Sequence, residues 1–167
     1  MLKENKVNES EVTLDNLSFF DIFQIHRYLD NVEVARRAFG ISGDISGLQE
    51  SVSKLKKSII FNRSSFKVIK YNKRTVGFIQ IHYETYDQVK IGIVIGERKY
   101  WGRNIGSIAL RKMVDLLFRQ DKNLKKIRLD TASYNTIARR CFEKVGFRVY
   151  METEDKVYME LDRPSDI

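Results

Sequence analysis

Proline, cysteine and histidine are scarce in this sequence. Its 167 residues include one Pro, one Cys and two His. The single cysteine, Cys141, excludes an internal disulfide framework and a cysteine-based zinc site. Two histidines are too few for a site with three histidine ligands, so we expect no metal. One Pro and nine Gly also exclude a collagen-like or proline-rich chain.

Long hydrophobic runs are absent as well. No apolar run approaches the roughly 20 residues that a membrane-spanning helix needs. The first six residues lack the apolar core of a signal peptide. Because 43% of the residues are hydrophobic, the chain can still bury a core, and its length suits one domain over residues 1–167. We expect a cytoplasmic domain without a membrane partner.

Negative charge is in deficit. Thirty Lys and Arg residues face 22 Asp and Glu, which gives a formal net charge of +8. Such an excess is typical of a protein that binds an anionic partner. Nucleic acid, a phosphorylated cofactor and an acidic protein surface are the alternatives. Most of the basic clusters have acidic neighbours and suit a solvated surface. Arg98, Lys99 and Arg103 differ because they adjoin a turn that contains glycine.

The order of helical and strand patterns predicts an α+β or mixed α/β fold with one central sheet. Four helices are predicted. The first covers residues 16–39, and the second covers about 46–60 and begins with a capping box at Ser46. The third begins at Ile105, and the fourth is a short segment capped by Asn135. A break at 40–43 separates the first two. The predicted strands flank a turn at 71–74, run from 89 to 95, include Ile127 and Leu129, and close the chain as a hairpin over 147–161.

The turn between the strand at 89–95 and the next helix is suited to anion binding. Gly102, Asn104 and Gly106 tolerate positive φ or close backbone approach. The first N–H groups of the helix and its dipole attract an anion, and the basic residues around them add charge. The segment is neither a Gly-x-Gly-x-x-Gly fingerprint nor a P-loop. An ordinary strand–helix connection and a phosphate site are both compatible with these residues.

Two motifs together resemble the GNAT acetyltransferase superfamily. The segment Trp101-Gly102-Arg103-Asn104-Ile105-Gly106 is similar to the pyrophosphate loop of that family, Gln/Arg-x-x-Gly-x-Gly/Ala, with Asn104 in place of one glycine. The second motif follows the family's strand, asparagine, helix and Gly-Phe ending, and consists of Leu129–Asn135, Ala138, Phe142 and Gly146-Phe147. The likeness covers about residues 60–161 and is nearest to the branch that acetylates ribosomal-protein N-termini.

The resemblance implies one domain with a central, mostly antiparallel sheet in which two neighbouring strands splay apart to admit acetyl-CoA. The pantetheine arm would pair with the backbone of Ile93, Val94 and Ile95. The pyrophosphate would lie on the turn and helix start formed by Trp101, Gly102, Arg103, Asn104, Ile105, Gly106 and Ser107. Asn135 would contact the pantetheine, and Arg140 would reach the nucleotide phosphates. Asn135 also suits a plain helix N-cap, and the two roles are compatible.

Asp130 is the candidate base for deprotonating the amine, because the ribosomal-protein branch has a glutamate at the matching position. An unshifted Asp has a pKa of about 3.9, so it would act through a water or at a raised pKa. A structural carboxylate paired with Arg128 or Lys126 is the alternative. Phe142 stands where the family often has a tyrosine acid. We therefore expect the thiolate, with a pKa of about 8.5, to leave with little protonation.

The residues and the resemblance together predict an N-acetyltransferase that moves acetyl from acetyl-CoA directly to a primary amine. A protein N-terminus, ribosomal or other, is the favoured acceptor. Polyamines and aminoglycosides are disfavoured because a chain of charge +8 repels polycations. A non-catalytic acyl-CoA-binding domain is an alternative that Phe142 would suit. A nucleic-acid-binding module is less favoured because helix-turn-helix and aromatic RNA-binding motifs are missing. A homodimer stays open.

Overall fold

Seven strands and five α-helices form the main elements of the computed structural model, which describes residues 7–40 and 45–165. In chain order these elements are β1 (Val12–Asn16), α1 (Phe19–Leu29), α2 (Val32–Phe39), α3 (Ile45–Phe61), β2 (Phe66–Tyr71), β3 (Arg74–Tyr83), β4 (Gln88–Ile95), α4 (Ile105–Gln120), β5 (Lys126–Ala132), α5 (Thr136–Val145), β6 (Arg148–Glu152) and β7 (Lys156–Asp162). Within the two described ranges, no helix has both the length and the apolar character needed to cross a membrane.

All seven strands belong to one open sheet with the order β1-β2-β3-β4-β5-β7-β6. Neighbouring strands are antiparallel except β4 and β5, which run parallel. A parallel pair needs a long crossover connection, and α4 supplies it. The prediction of an α+β fold with a central, mostly antiparallel sheet is therefore confirmed.

Hydrophobic layers cover both faces of the sheet. On one face, Ile91 of β4 belongs to the cluster that includes Ile105 and Ile108 of α4. On the other face, Val94 of β4 packs against the cluster that includes Ile25 of α1 and other residues of α1 and α3. Side chains therefore pack against β4 on both faces of the sheet, in addition to its hydrogen bonds with neighbouring strands.

The predicted single helix over residues 16–39 is wrong, because β1 includes its first residue and two shorter helices follow. Ser18 caps α1, since its hydroxyl accepts a hydrogen bond from the Asp21 N–H while the Asp21 carboxylate accepts one from the Ser18 N–H. Asn31 caps α2 through its side-chain oxygen. Polar side chains that bind nearby backbone N–H groups favour helix starts over helix interiors, so these residues divide the apolar run.

The other predicted elements differ from the structure mainly at their ends. Ser46 lies inside α3, which already includes Ile45, so the predicted cap at Ser46 is wrong. Of the predicted break at 40–43, Gly40 ends α2 with a φ of +66°, and the rest lies outside the described residues. The turn of the first hairpin is confirmed. Its central residues, Asn72 and Lys73, have φ of 49° and 64°, as a two-residue type I′ turn requires.

Gly77 lies where β3 approaches β4 too closely for a side chain. A Cβ atom on Gly77 would lie 2.1 Å from the carbonyl oxygen of Val94. Gly92 of β4 is the opposite case, because a Cβ atom there would meet nothing within 4 Å. The position of the outer half of β4 therefore depends on a bare backbone at Gly77.

We expect Gly77→Ala to lower the free energy of unfolding by about 1–3 kcal/mol, because backbone atoms must move to relieve the contact. Gly92→Ala is the matched control, and it should change stability by less than about 0.5 kcal/mol in the destabilising direction. Urea unfolding measures both variants. Equal stability of the two would contradict the argument that β3 and β4 exclude a side chain at Gly77.

Candidate active site

A cleft opens where β4 and β5 part. The two strands pair at only three positions, the last of which joins Lys90 to Arg128. Strand β4 nevertheless continues to Ile95 and β5 to Ala132. A cleft of about 320 Å³ lies against the outer half of β4, and α2, α5 and the loop after β4 complete its walls. The splay implied by the sequence resemblance is therefore present, and one backbone edge of β4 is free beyond Lys90.

The loop after β4 presents unused backbone donors. Gly102 and Asn104 have φ of +72° and +69°, in the left-handed region that the sequence predicted. Asn104 is the N-cap residue of α4, yet its side chain makes no capping hydrogen bond. In the described part of the chain, the backbone N–H groups from Gly102 to Ser107 donate no hydrogen bond. These donors and the dipole of α4 together make an anion site.

Arg37 connects the two sides of the cleft, and it was not predicted from the sequence. Its guanidinium lies 4.4 Å from the centroid of the Trp101 ring and donates to Oδ1 of Asn135 at 3.3 Å. The indole N–H of Trp101 in turn donates to the carbonyl oxygen of Ile95 at 2.9 Å. The only sequence signal at Arg37 is a pair of arginines in a helix, which is typical of an ordinary solvated face.

Asn135 has the predicted position at the start of α5. The residue is 7% exposed, and its Oδ1 accepts from the Ala138 N–H at 3.3 Å as well as from Arg37. Both hydrogen bonds use the oxygen. The amide Nδ2, which donates to no described group, is therefore free to meet a ligand in the cleft that Asn135 lines.

The inner wall of the cleft is formed by α4 and α5. Ser107 donates a hydrogen bond to Sγ of Cys141 at 3.3 Å. Burial raises the pKa of the Cys141 thiol, so the thiol is protonated at neutral pH. Phe142 is 4% exposed, and its ring centroid lies 6.4 Å from that of Phe147. This wall therefore presents a neutral thiol and a buried phenyl ring where the family often has a tyrosine.

Most of the residues predicted to bind the cofactor lie around this cleft. The ones that line it are Ile93, Val94, Ile95, Trp101, Gly102, Asn104, Gly106, Ser107, Asn135 and Arg140. Two side chains lie elsewhere. The Arg103 guanidinium is 5.8 Å from the Tyr71 ring centroid, and Ile105 is fully buried in the core. Only the backbone of Arg103 and Ile105 belongs to the loop of free donors.

Asp130 lies on β5 and does not line the cleft. Its carboxylate forms ion pairs with Lys90 and with Lys156, the latter at 2.7 Å. Burial raises the pKa of Asp130, but the hydrogen bonds from the two lysines outweigh it and hold this pKa below its ordinary value. A carboxylate with a lowered pKa is a weak base. These contacts favour the structural alternative, with Lys90 and Lys156 as partners instead of Arg128 and Lys126.

A sheet that opens beside an anion-binding helix start suits the class of enzymes that use coenzyme A thioesters, as the sequence resemblance implied. The chain belongs to the acetyltransferase (GNAT) family, whose model matches residues 28–147. It is accordingly an acetyl-CoA-dependent N-acetyltransferase.

Solved structures share the fold. A GNAT-family acetyltransferase from Bacillus anthracis has a TM-score of 0.73 and 19% identity, over 93% of this chain and 97% of that one. Spermidine N-acetyltransferase from Vibrio cholerae, in complex with CoA and spermine, has a TM-score of 0.71 and 20% identity, over 92% and 96%. Aminoglycoside acetyltransferase AAC(6')-Ib, in complex with coenzyme A and kanamycin, has a TM-score of 0.70 and 22% identity, over 91% and 95%. These three do not confirm the ribosomal-protein branch, which stays a prediction.

We expect Asp130→Asn to lower the free energy of unfolding at pH 7 by about 1–3 kcal/mol, because two lysines lose their carboxylate partner. Since the pKa of Asp130 is lowered in the folded state, its contribution is complete above the unfolded value of about 3.9 and is lost as the pH falls through the folded value. The difference between wild type and variant should therefore shrink at acid pH. Urea unfolding between pH 3 and pH 8 measures this.

The opposite result would restore the predicted catalytic role. In that case Asp130→Asn would be as stable as the wild type, would bind acetyl-CoA equally well, and would transfer acetyl more slowly at neutral pH. The loss of rate would shrink at high pH, where the amine loses its proton unaided.

Proposed function

We propose that the cleft between β4 and β5 binds acetyl-CoA and that the protein transfers the acetyl group directly to an α-amine. The observation that carries this proposal is the free backbone edge of β4 beyond Lys90, next to a loop of unused N–H donors. The amide groups of a pantetheine arm pair with such an edge as an added strand does. Of the three predicted residues, Ile93 and Ile95 turn their backbone groups to this edge, whereas the backbone groups of Val94 face β3.

The phosphates occupy the wide end of the cleft. The pyrophosphate lies on the N–H groups from Gly102 to Ser107. The side chains of Arg37, Arg140 and Lys144 line the same cleft and add positive charge. Arg37 is already held by Trp101 and Asn135, so little side-chain entropy is lost when a phosphate or the pantetheine arrives. The Nδ2 of Asn135 donates to a pantetheine carbonyl.

The chemistry needs no covalent enzyme intermediate. The amine nitrogen attacks the thioester carbonyl carbon, the carbon–sulfur bond breaks, and coenzyme A leaves as a thiolate that takes up the proton lost by the amine. The backbone N–H groups on the free edge of β4, those of Ile93 and Ile95, stabilise the oxyanion. Because Phe142 supplies no acid, departure depends on the thiol pKa of about 8.5.

Acetyl-CoA should raise the melting temperature, because a ligand that binds only the folded state stabilises it. At a hundredfold excess over Kd the gain is about 2.7 kcal/mol, which corresponds to roughly 5–10 °C for a chain of this size. In Gly106→Glu the shift should disappear. A Cβ atom at Gly106 lies 3.4 Å from Sγ of Cys141 and 3.9 Å from Ile95, so the new carboxylate enters the cleft. Thermal unfolding with and without acetyl-CoA measures this.

Two further variants make this test specific. Ser53→Glu adds the same charge on the exposed face of α3 and should keep the full shift. Asn104→Asp adds a negative charge to the loop without added bulk and should reduce the shift. An undiminished shift in both Gly106→Glu and Asn104→Asp would remove the phosphate-loop assignment.

An α-amine is the acceptor that the state of Asp130 favours. Asp130, the predicted base, is held by two lysines at a lowered pKa. The acceptor must then reach the cleft already deprotonated to a useful degree. At pH 7.5 about a third of an α-amine of pKa 7.7–8.0 is neutral, against about 0.1% of an alkylamine of pKa 10.4. This difference of more than a hundredfold favours a protein or peptide N-terminus, which includes the ribosomal N-termini suggested by the sequence.

Small polycationic amines are the second candidate. Two of the fold relatives, a spermidine and an aminoglycoside acetyltransferase, act on such molecules. For this chain the net charge of +8 opposes their approach. The non-catalytic alternative rests on Phe142 alone. The cytoplasmic location and the homodimer stay predictions.

Peptides with a free α-amine should be acetylated at least tenfold more efficiently, in kcat/KM, than spermidine or kanamycin at pH 7.5 and equal concentration. The advantage should shrink as the pH rises towards 10, because the alkylamines then lose their protons. Coenzyme A release, measured with a thiol reagent, reports every acceptor alike. A preference for the polycations would contradict the α-amine assignment, whereas no release with any amine would favour the non-catalytic alternative.

A further inference from the structure

A charged surface lies on the face of the sheet opposite α4 and α5, beside the point where β4 and β5 part. We call it the polar shelf, and it consists of Lys90 on β4, Lys126, Arg128 and Asp130 on β5, and Lys156 and Glu160 on β7. Strand pairing places these side chains next to one another, since Lys90 pairs with Arg128 and Arg128 pairs with Glu160. The four cationic side chains are between 25% and 42% exposed.

The polar shelf has an excess of positive charge. Asp130 is shared by Lys90 and Lys156, and Glu160 is shared by Lys126 at 2.9 Å and Arg128 at 3.6 Å. Two carboxylates therefore face four cations. Asp162, 3.4 Å from Lys126, does not change this balance because it also pairs with Arg148 at the sheet edge. The shelf residues therefore carry two positive charges in excess, and Glu84, which also acts on Lys90, offsets at most one of them.

Arg128 has unused hydrogen-bonding capacity. Its guanidinium carbon lies 5.1 Å from the centroid of the Tyr150 ring, and its Nε is 3.6 Å from Glu160, beyond hydrogen-bond distance. The Nε is buried and has no hydrogen-bond partner, and no hydrogen bond of the described residues uses any other Arg128 N–H group. An arginine in this state is suited to binding a carboxylate or phosphate group.

None of the shelf residues lines the cleft, and the shelf begins where β4 and β5 still pair, beyond the inner end of the opening. The loop of free donors follows the outer end of β4, so a cofactor whose phosphates lie there extends its acyl end back towards the junction at Lys90 and Arg128. Gly92 separates Lys90 from Val94 on the same face and leaves open space above the strand. The strand rise puts Lys90 about 7 Å from Gly92 and about 13 Å from Val94.

We infer that the acceptor is the α-amine of a peptide whose first or second residue carries a carboxylate or phosphate group. Arg128, Lys90 and Lys156 bind this anionic group. The inference rests on the proposed function and names its substrate class. An extended dipeptide spans about 7 Å, so an anion bound at Lys90 leaves the amine above Gly92, facing the thioester. The same excess charge repels a cationic second residue.

Matched tetrapeptides test this inference. Ser-Asp-Ala-Phe, Ser-Asn-Ala-Phe and Ser-Lys-Ala-Phe differ only in the charge of the second residue, and a fourth peptide has phosphoserine at that position. At low salt the acidic peptide should have a KM at least tenfold below that of its amide counterpart, with similar kcat. The preference should weaken in 0.5 M salt because the shelf is partly exposed. The phosphoserine peptide shows whether phosphate binds as well as carboxylate.

Variants of the shelf locate the effect. Arg128→Gln and Lys90→Gln should each raise KM for the acidic peptide severalfold more than KM for the amide peptide. Arg128→Glu should shift the preference towards the lysine peptide. Lys122→Gln removes an exposed cation outside the shelf and is the matched control, with an unchanged ratio of the two KM values. Thermal shifts with acetyl-CoA confirm that each variant is folded and binds its cofactor.

The outcomes separate this inference from the proposed function. If the three tetrapeptides are acetylated with equal KM, or if the preference survives in Arg128→Gln and Lys90→Gln, the inference is wrong and the α-amine acetyltransferase remains. If no peptide releases coenzyme A, both are wrong. A preference for the lysine peptide in the wild type would overturn the inference and favour a polycationic acceptor.

Discussion

Beyond Lys90 and Arg128, strand β4 loses β5 as a neighbour and keeps its place through β3 and the two hydrophobic layers. A free strand edge inside a protein is unfavourable unless something pairs with it, because buried backbone groups need partners. The close approach of β3 at Gly77 fixes β4 from one side and leaves the other side for a ligand with strand-like amides. The chain itself thus leaves the sheet open at this edge, as the proposed binding of a pantetheine arm requires.

Two groups of positively charged residues lie around this opening, and their partners differ. At the outer end, backbone N–H groups and the cations that line the cleft suit the fixed charge of phosphates. At the inner end, lysines and an arginine share two carboxylates, which leaves a smaller and more adjustable excess. An acceptor with one anionic group matches the second location. A net charge of +8 therefore reflects local requirements as well as general solubility.

Local patterns were sufficient for the anion loop and for the cap at Asn135, because turn geometry and capping depend on neighbouring residues. The prediction of one long N-terminal helix was wrong because the apolar residues continue across the caps at Ser18 and Asn31. Contacts between segments distant in the chain could not be predicted from the sequence. Asp130 has partners on two other strands, and the contact of Arg37 with α5 spans 98 residues, so register and packing decide both.

The link from Arg37 through Trp101 to Ile95 has a practical consequence, because Trp101 is the only tryptophan of the chain. The guanidinium of Arg37 lies over its indole ring, the indole N–H donates to the carbonyl oxygen of Ile95, and the residue lines the cleft. A phosphate that binds to Arg37 where it stands adds negative charge beside this single ring. We therefore expect intrinsic fluorescence to report the binding of a ligand in the cleft without a label.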